Sequence, residues 1–414
     1  MKKSNQQNSN KFFLLGLTFL FAATLFLIFP RDAEAVSQWA RKYQVDCTTC
    51  HTSFPRLNHF GEKFMRAGFQ WPDDEPDGDT AGKDKVSDNL FVDKVGNWFG
   101  ARLSLTPLLY KTNSLTVDGE TEDSLNIGNS NWLQFFVAGT IFKNVSIFIE
   151  QEFEVDGALF SWFHLFFTNL ADTYVNFQVG KLSPVDFTPF PDRLRMWGKS
   201  DVLNVKSSGG KGQNSVTIRQ SRPGIQYYGY KGSLLWFAGI DNGKDASDLD
   251  RQKNYWTGLR LELPSKEKSN FEGSSVGFHY YSGIDTADSA TARIENNFSR
   301  YTFSLNARYL EKFDVQAVYQ IGNDDNYSLA VDPFEAKFQG LTVSAAYWTY
   351  PLYFILQYDQ INSDDIPGLE MNKLSPSVWF FMRENFKAGL AARFDLSDAE
   401  FKKHEIAVQI RTMF

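Results

Sequence analysis

The chain has 414 residues, of which 43% are hydrophobic and 16% aromatic, with a formal net charge of −7 and a mean hydropathy of −0.35. It is too polar for a bundle of membrane helices, and its acidic balance excludes the basic face that a nucleic-acid partner needs. The composition suits a transmembrane β-barrel, in which only every second strand residue meets lipid.

The N-terminus reads as a signal peptide. Lys2, Lys3 and Lys11 supply the positive region, Phe12 to Pro30 the apolar stretch, and Ala33-Glu34-Ala35 a cleavage site. The mature chain then begins at Val36. An uncleaved anchor is the alternative, because the apolar stretch is nearly long enough to span a bilayer. Removing residues 1–35 deletes four positive and two negative charges, so the net charge becomes −9.

Residues 36–72 form a small unit around Cys47-Thr48-Thr49-Cys50-His51. C-x-x-C-H is the attachment sequence of a c-type haem: Cys47 and Cys50 form thioethers and His51 becomes the proximal iron ligand. A thioredoxin-like pair would need a βαβ context, and a zinc site two further ligands at suitable spacing; neither pattern is present. The chain's two cysteines both lie in this motif. The sixth ligand is left open between Met65, which would raise the potential, His59, a distal residue such as Met196, and an open position. Segments 39–46 and 57–67 are expected to be short helices. The unit is too small for a core of its own, so it should pack against or inside something larger. Residues 73–95 read as a linker.

From about residue 96 the pattern alternates with period two. Val145, Ile147 and Ile149 face away from Ser146, Glu150, Glu152 and Glu154. Phe303, Leu305, Ala307 and Tyr309 likewise face away from Ser304, Asn306 and Arg308. This predicts sixteen antiparallel strands near 97–110, 131–142, 145–155, 158–168, 172–182, 214–230, 232–240, 253–263, 273–283, 298–310, 313–321, 337–349, 351–361, 374–383, 386–396 and 403–414. Long polar connections such as 111–130 and 183–213 alternate with short ones such as 143–144 and 350. Short periplasmic turns and longer outer loops give that rhythm, and a β-sandwich has no reason to. Connections 156–157 and 264–272 break it. The abundant Phe, Tyr and Trp are expected in the lipid-facing band and its girdles. The last strand closes on Phe414, which resembles the terminal aromatic of outer-membrane barrels.

Arg102, Glu150, Glu152, Glu154, Arg260, Glu262, Arg308, Asp314, Arg393, Asp395 and Arg411 are expected on the lumen wall, which could dock a haem segment through arginine. His164, His279 and His404 read as girdle or lumen residues. Asp241, Asp245, Asp248, Asp250, Asp324 and Asp325 are expected in outer loops, where carboxylates attract divalent cations or are simply solvated. The chain holds no nucleophile triad, P-loop or dinucleotide motif.

Signal peptide, Trp39-Ala40-Arg41-Lys42, C-x-x-C-H, Phe54-Pro55-x-Leu57-x-x-Phe60-Gly61, Gly68-Phe69 and a sixteen-strand barrel together resemble the fused cytochrome–porin family, outer-membrane Fe(II) oxidases of iron-oxidising bacteria. The resemblance spans the mature chain, but its specific part is the haem region. It implies one covalent haem c lodged at or in the barrel. It further implies an extracellular Fe(II) donor, a periplasmic c-type cytochrome or other carrier as acceptor, and iron:cytochrome c oxidoreductase activity. Two rival expectations remain: a passive porin with a structural haem segment, and a conduit running outward to an extracellular acceptor.

Overall fold

The computed structural model describes residues 37–71, 83–87, 90–117, 120–154, 157–191, 194, 196, 198–243, 251–263, 269–288, 293–397 and 402–414. The expected signal peptide, most of the expected linker, Asp245, Asp248 and Asp250 lie outside them.

Sixteen antiparallel strands close into one barrel. They are β1 (Phe99–Val117), β2 (Glu120–Phe142), β3 (Val145–Glu154), β4 (Gly157–Phe167), β5 (Asn176–Leu182), β6 (Arg222–Lys231), β7 (Leu234–Asp241) and β8 (Asn254–Glu262), then β9 (Ser275–Asp288), β10 (Arg293–Tyr309), β11 (Phe313–Asp324), β12 (Ala336–Thr349), β13 (Leu352–Asn362), β14 (Met371–Arg383), β15 (Phe386–Asp395) and β16 (Glu405–Met413). Each pairs with its sequence neighbours, and β16 returns to β1 through pairs such as Val408 with Leu108. Closure leaves no sheet edge with unpaired backbone, the condition for a strand protein in lipid. Outside the closing ladder, the Phe414 and Ala101 backbones exchange two hydrogen bonds of 2.9 and 2.6 Å.

Period two sorts the two faces. Along β11, Asp314, Gln316, Val318 and Gln320 are buried, while Phe313, Val315 and Tyr319 look outward. Phe303, Leu305 and Tyr309 of β10 stand on the outer face, Phe303 at 49% exposure. An outer wall of half-exposed Phe, Leu and Ile is unsuited to water and suited to hydrocarbon. Two-residue turns join several strands at one end. Asn144 takes a positive φ of 65° in the turn after β2, a conformation asparagine tolerates better than most residues.

Three expectations need correction. Residues 111–130 are not a loop: β1 and β2 run on as a hairpin reaching beyond the apolar band, tied by bonds such as Ser114 to Ser124 at 2.6 Å. Its side chains are mostly polar, with apolar ones such as Leu115, Leu125 and Ile127 few and scattered, so the alternation that betrays a strand is weak. Residues 214–221 are not strand. The described residues of the 183–221 segment fold into the lumen, burying Val185, Phe187, Val202, Leu203, Val216 and Ile218. Val216 and Ile218 alternate with polar neighbours because one side of the segment packs on the inner apolar cluster. Many aromatics also stand inside rather than in a lipid belt: Phe136, Phe148, Trp162, Phe166, Tyr228, Phe237, Trp256 and Tyr281 belong to that inner cluster.

Two short helices occur where expected, α1 (Gln38–Tyr43) and α2 (His59–Arg66). They form a plug in the lumen, and the inner aromatics are the surface it packs on. Trp39 stacks on Phe69 at 4.5 Å, and Phe69 contacts Phe148 at 5.3 Å and Phe166 at 5.5 Å. A segment too small for its own core thus borrows one from the barrel wall. Within the expected linker, Lys83–Ser87 pairs with Leu90–Asp93 as a small ladder.

Candidate functional site

The site is built from the plug outward. Cys47–Thr49 form a single helical turn, and Cys50 closes it by donating its backbone N–H to the Cys47 carbonyl at 3.3 Å. Asn58 ties this turn to α2. Its side chain caps the helix by accepting from the Gly61 N–H at 2.8 Å, and it donates to the Thr48 and Thr49 carbonyls at 3.0 Å each. Its backbone N–H bonds the Cys50 carbonyl at 3.0 Å. Gly61 sits so close that a Cβ would overlap that same carbonyl. Asn58 and Gly61 therefore fix α2 against the C-x-x-C-H turn, a role not visible in sequence spacing alone.

Cys47, Cys50, His51 and Met65 all line one cavity that is partly open to solvent. Its walls are otherwise apolar, with Trp39, Phe54, Phe64 and Phe69 from the plug and Phe136 and Phe148 from the barrel. Arg102, Glu150 and Met413 add functional groups from β1, β3 and β16, and Asn385 one from the turn after β14. That turn also holds the plug: the Cys47 N–H donates to Glu384 at 2.9 Å. The cavity therefore lies at the short-turn end of the barrel.

Burial governs the chemistry of these groups. It pushes both thiols up to about 12, for Cys47 with help from the Glu384 carboxylate. It holds His51 down at about 4, so the imidazole is neutral at pH 7. His51 Nδ1 lies against the backbone of Pro55 and Arg56 without a well-formed hydrogen bond. Lys387 on β15 is buried and donates to the Phe54 carbonyl, with its ammonium 4.9 Å from the Phe54 ring.

The other proposed ligands part company. His59 is buried but does not line the cavity. It stands where a Cβ on Gly273 would meet it at 2.6 Å, and burial holds it down at about 4. Met196 lines a different cavity, and its Sδ lies 3.1 Å from Lys387 Nζ. Met413 reaches the cysteine cavity from the last strand; sequence reasoning missed it, because only barrel closure brings it there.

Ion pairs dock the plug. Glu62 of α2 meets Arg260 at 2.6 Å and Arg308 at 2.7 Å. Arg66 makes bonds of 3.0 to 3.1 Å to both oxygens of Glu262. Arg56 grips Asp314 through bonds of 2.7 and 3.0 Å. Burial alone would raise Glu62, but Arg260 and Arg308 outweigh it and hold the carboxyl well below the usual range. The lumen arginines thus act on plug carboxylates. Arg102 and Glu150 are buried lumen residues 3.6 Å apart. Glu152 accepts from Gln134 at 2.5 Å, and the side chain of Glu154 lies outside the described residues. Arg411 is buried, while Arg393 and Asp395 are half-buried on the inner face near one rim. His164 and His279 are buried in the lumen and His404 sits at the rim, its Nδ1 accepting from the Asp395 N–H at 3.1 Å. Asp241 and Asp324 are not loop carboxylates. Both are buried at strand ends, Asp324 paired with Arg300 at 2.8 Å and Asp241 with Arg222 at 3.7 Å. Asp325 accepts from Asn297 at 3.2 Å.

These features define a sixteen-stranded, porin-type barrel whose lumen holds an N-terminal plug. No protein-family model matches the chain, and no curated protein does. Solved structures share its fold. An anion-selective porin from Comamonas acidovorans superposes with a TM-score of 0.53 at 11% identity, over 76% of this chain and 98% of the porin. The outer membrane channel DcaP of Acinetobacter baumannii gives 0.51 at 13% identity, over 77% of this chain and 96% of the channel.

Proposed function

We propose that the protein is an outer-membrane cytochrome–porin. In this reading it takes single electrons from an extracellular donor, foremost Fe(II), and passes them to a periplasmic carrier. The observation that carries the reading is the convergence of Cys47, Cys50 and His51 on one apolar cavity inside a closed barrel.

The residues present fit a haem c. Each thiol would add across one vinyl group, its sulfur bonding one vinyl carbon and its hydrogen going to the other, and the neutral imidazole of His51 would supply the proximal ligand to iron. Met65 is favoured as the sixth ligand because it shares the cavity and His59 does not. Arg102 is the cation at the wall for a propionate. A haem bound there supplies a one-electron couple in a water-poor site. Glu384 and Asn385 place the cavity at the short-turn end, which in porin-type barrels faces the periplasm.

The test has two parts. Denaturing gels stained for haem peroxidase should show a band for the wild type that is lost in Cys50→Ala. Stopped-flow mixing of the oxidised protein with Fe(II) should then develop the reduced haem α-band. Haem that extracts into acid acetone overturns covalent attachment, and a spectrum unmoved by Fe(II) overturns the donor. The second reading is a passive porin, favoured by the fold relatives named above. Residues 37–71 and the described residues of 183–221, which lie in the lumen, speak against it.

A further inference from the structure

We propose that Lys387 of β15 is an electrostatic tuning residue, whose positive charge raises the reduction potential of the haem that Cys47, Cys50 and His51 would hold. The inference rests on the cytochrome reading above. It names the residue that suits the site to a donor that gives up its electron reluctantly.

Three observations carry it. The first is a cation with no counter-ion. Lys387 is 1% exposed. Its Nζ donates to the Phe54 carbonyl and to Met196 Sδ at 3.1 Å. It lies over the rings of Phe54, Phe381 and Trp379 at 4.9, 5.0 and 5.3 Å. Each of these partners is a neutral acceptor or a π face, which can hold an ammonium without cancelling its charge. Other lumen cations differ. Arg56, Arg260 and Arg308 meet carboxylates, and Arg102 stands 3.6 Å from Glu150. The second observation is position. The Phe54 ring that meets the ammonium also meets the His51 imidazole, edge to face at 5.3 Å, and Phe54 lines the cysteine cavity. The ammonium and the expected proximal ligand therefore share one aromatic neighbour. The third is cost. A buried ion without a counter-ion is expensive, and an apolar side chain of similar volume would avoid that cost. The site is aromatic enough to pack methionine or leucine, yet it holds lysine. Ferric haem carries one positive charge more than ferrous haem. A nearby cation disfavours the ferric form, and in a water-poor interior the effect is weakly screened, so the potential rises.

The test is a redox titration of the full purified protein in detergent, followed at the haem α-band. Lys387→Met should lower the midpoint potential. At a fixed applied potential the ratio of reduced to oxidised haem should fall about tenfold, which is about 59 mV for a one-electron couple. Lys387→Gln, neutral but still a donor for the Phe54 carbonyl, should fall in the same direction. Lys387→Arg keeps the charge and should stay near the wild type. Heat-modifiable gel mobility and an unchanged α-band position check that barrel and ligation are intact. If Lys387→Met fails that check, Lys387→Gln decides. A wild-type midpoint in the intact neutral variants overturns the proposal. So does a fall in Lys387→Arg as large as that in Lys387→Gln, because charge would then not be the cause. A wild type without covalent haem overturns the cytochrome reading and this proposal with it. Covalent haem with a potential unmoved by the neutral variants overturns this proposal alone.

Discussion

At the scale of single residues, the C-x-x-C-H turn depends on neighbours that no spacing rule names. Asn58 makes five hydrogen bonds: two, from Gly61 and Glu62 N–H, start α2, and three tie it to the Cys47–Cys50 turn. Asn58→Ala removes a helix cap worth about 0.5–2 kcal/mol and strips a donor from two carbonyls of the turn. The expected outcome is a plug that holds the cysteines loosely, seen as a lower ratio of haem stain to protein with the barrel's gel mobility intact. Undiminished stain would show that the turn does not need Asn58. Glu62 makes a second residue-scale case. Its folded pKa lies below the unfolded value, so its pairing with Arg260 and Arg308 stabilises the plug above the ordinary glutamate range. That contribution is lost only as the pH falls well below that range. Glu62→Gln should cost about 3–5 kcal/mol at pH 7, the range for removing one partner of a buried pair. It should also make plug docking less sensitive to acid than in the wild type. Limited proteolysis across a pH series reads this out, and identical wild-type and variant profiles would reject the role.

At the scale of elements, what could be read from the chain depended on which face an element showed to lipid. Runs such as the twelve residues Phe313–Asp324 announce themselves because one face is apolar and the other polar. The far part of the β1–β2 hairpin is mostly polar, with only scattered apolar residues such as Leu115, Leu125 and Ile127, so its strands read as a loop. The inward segment fails oppositely: Val216 and Ile218 alternate like a strand because one side packs on the lumen cluster. The cysteine motif was legible because its geometry is local, whereas Met413 and Arg102 join the cavity only when distant strands close the barrel. The hairpin gives a prediction at this scale. Ser124 lies in it and Asn144 in the short turn at the other end of β2. In intact cells a membrane-impermeant thiol reagent should label Ser124→Cys and leave Asn144→Cys untouched until the outer membrane is opened. The reverse pattern would invert the barrel and place the cysteine cavity on the outer side.

At the scale of the whole molecule, the plug and the wall form one structure. Helices too short to stand alone are held by Glu62, Arg66 and Arg56 on strand partners β8, β10 and β11, and by aromatic packing on β3 and β4. The described residues of the inward 183–221 segment fill much of what remains, bonding strand carboxylates such as Asp285, which accepts from Asn214 N–H at 3.0 Å. A porin-type barrel without such fillings leaves an aqueous channel. A lumen filled in this way should pass little solute. In planar bilayers the wild type should conduct far less than an open sixteen-strand porin, with few resolved steps. Combining Arg56→Gln with Glu62→Gln removes the plug's ion pairs to Asp314, Arg260 and Arg308 and should release the plug at intervals, seen as brief, larger openings above a quiet baseline. Steady porin-size conductance from the wild type would mean that the plug does not seal the lumen, and would move the balance toward the passive-porin reading. A double variant as silent as the wild type would instead assign the seal to the inward segment alone.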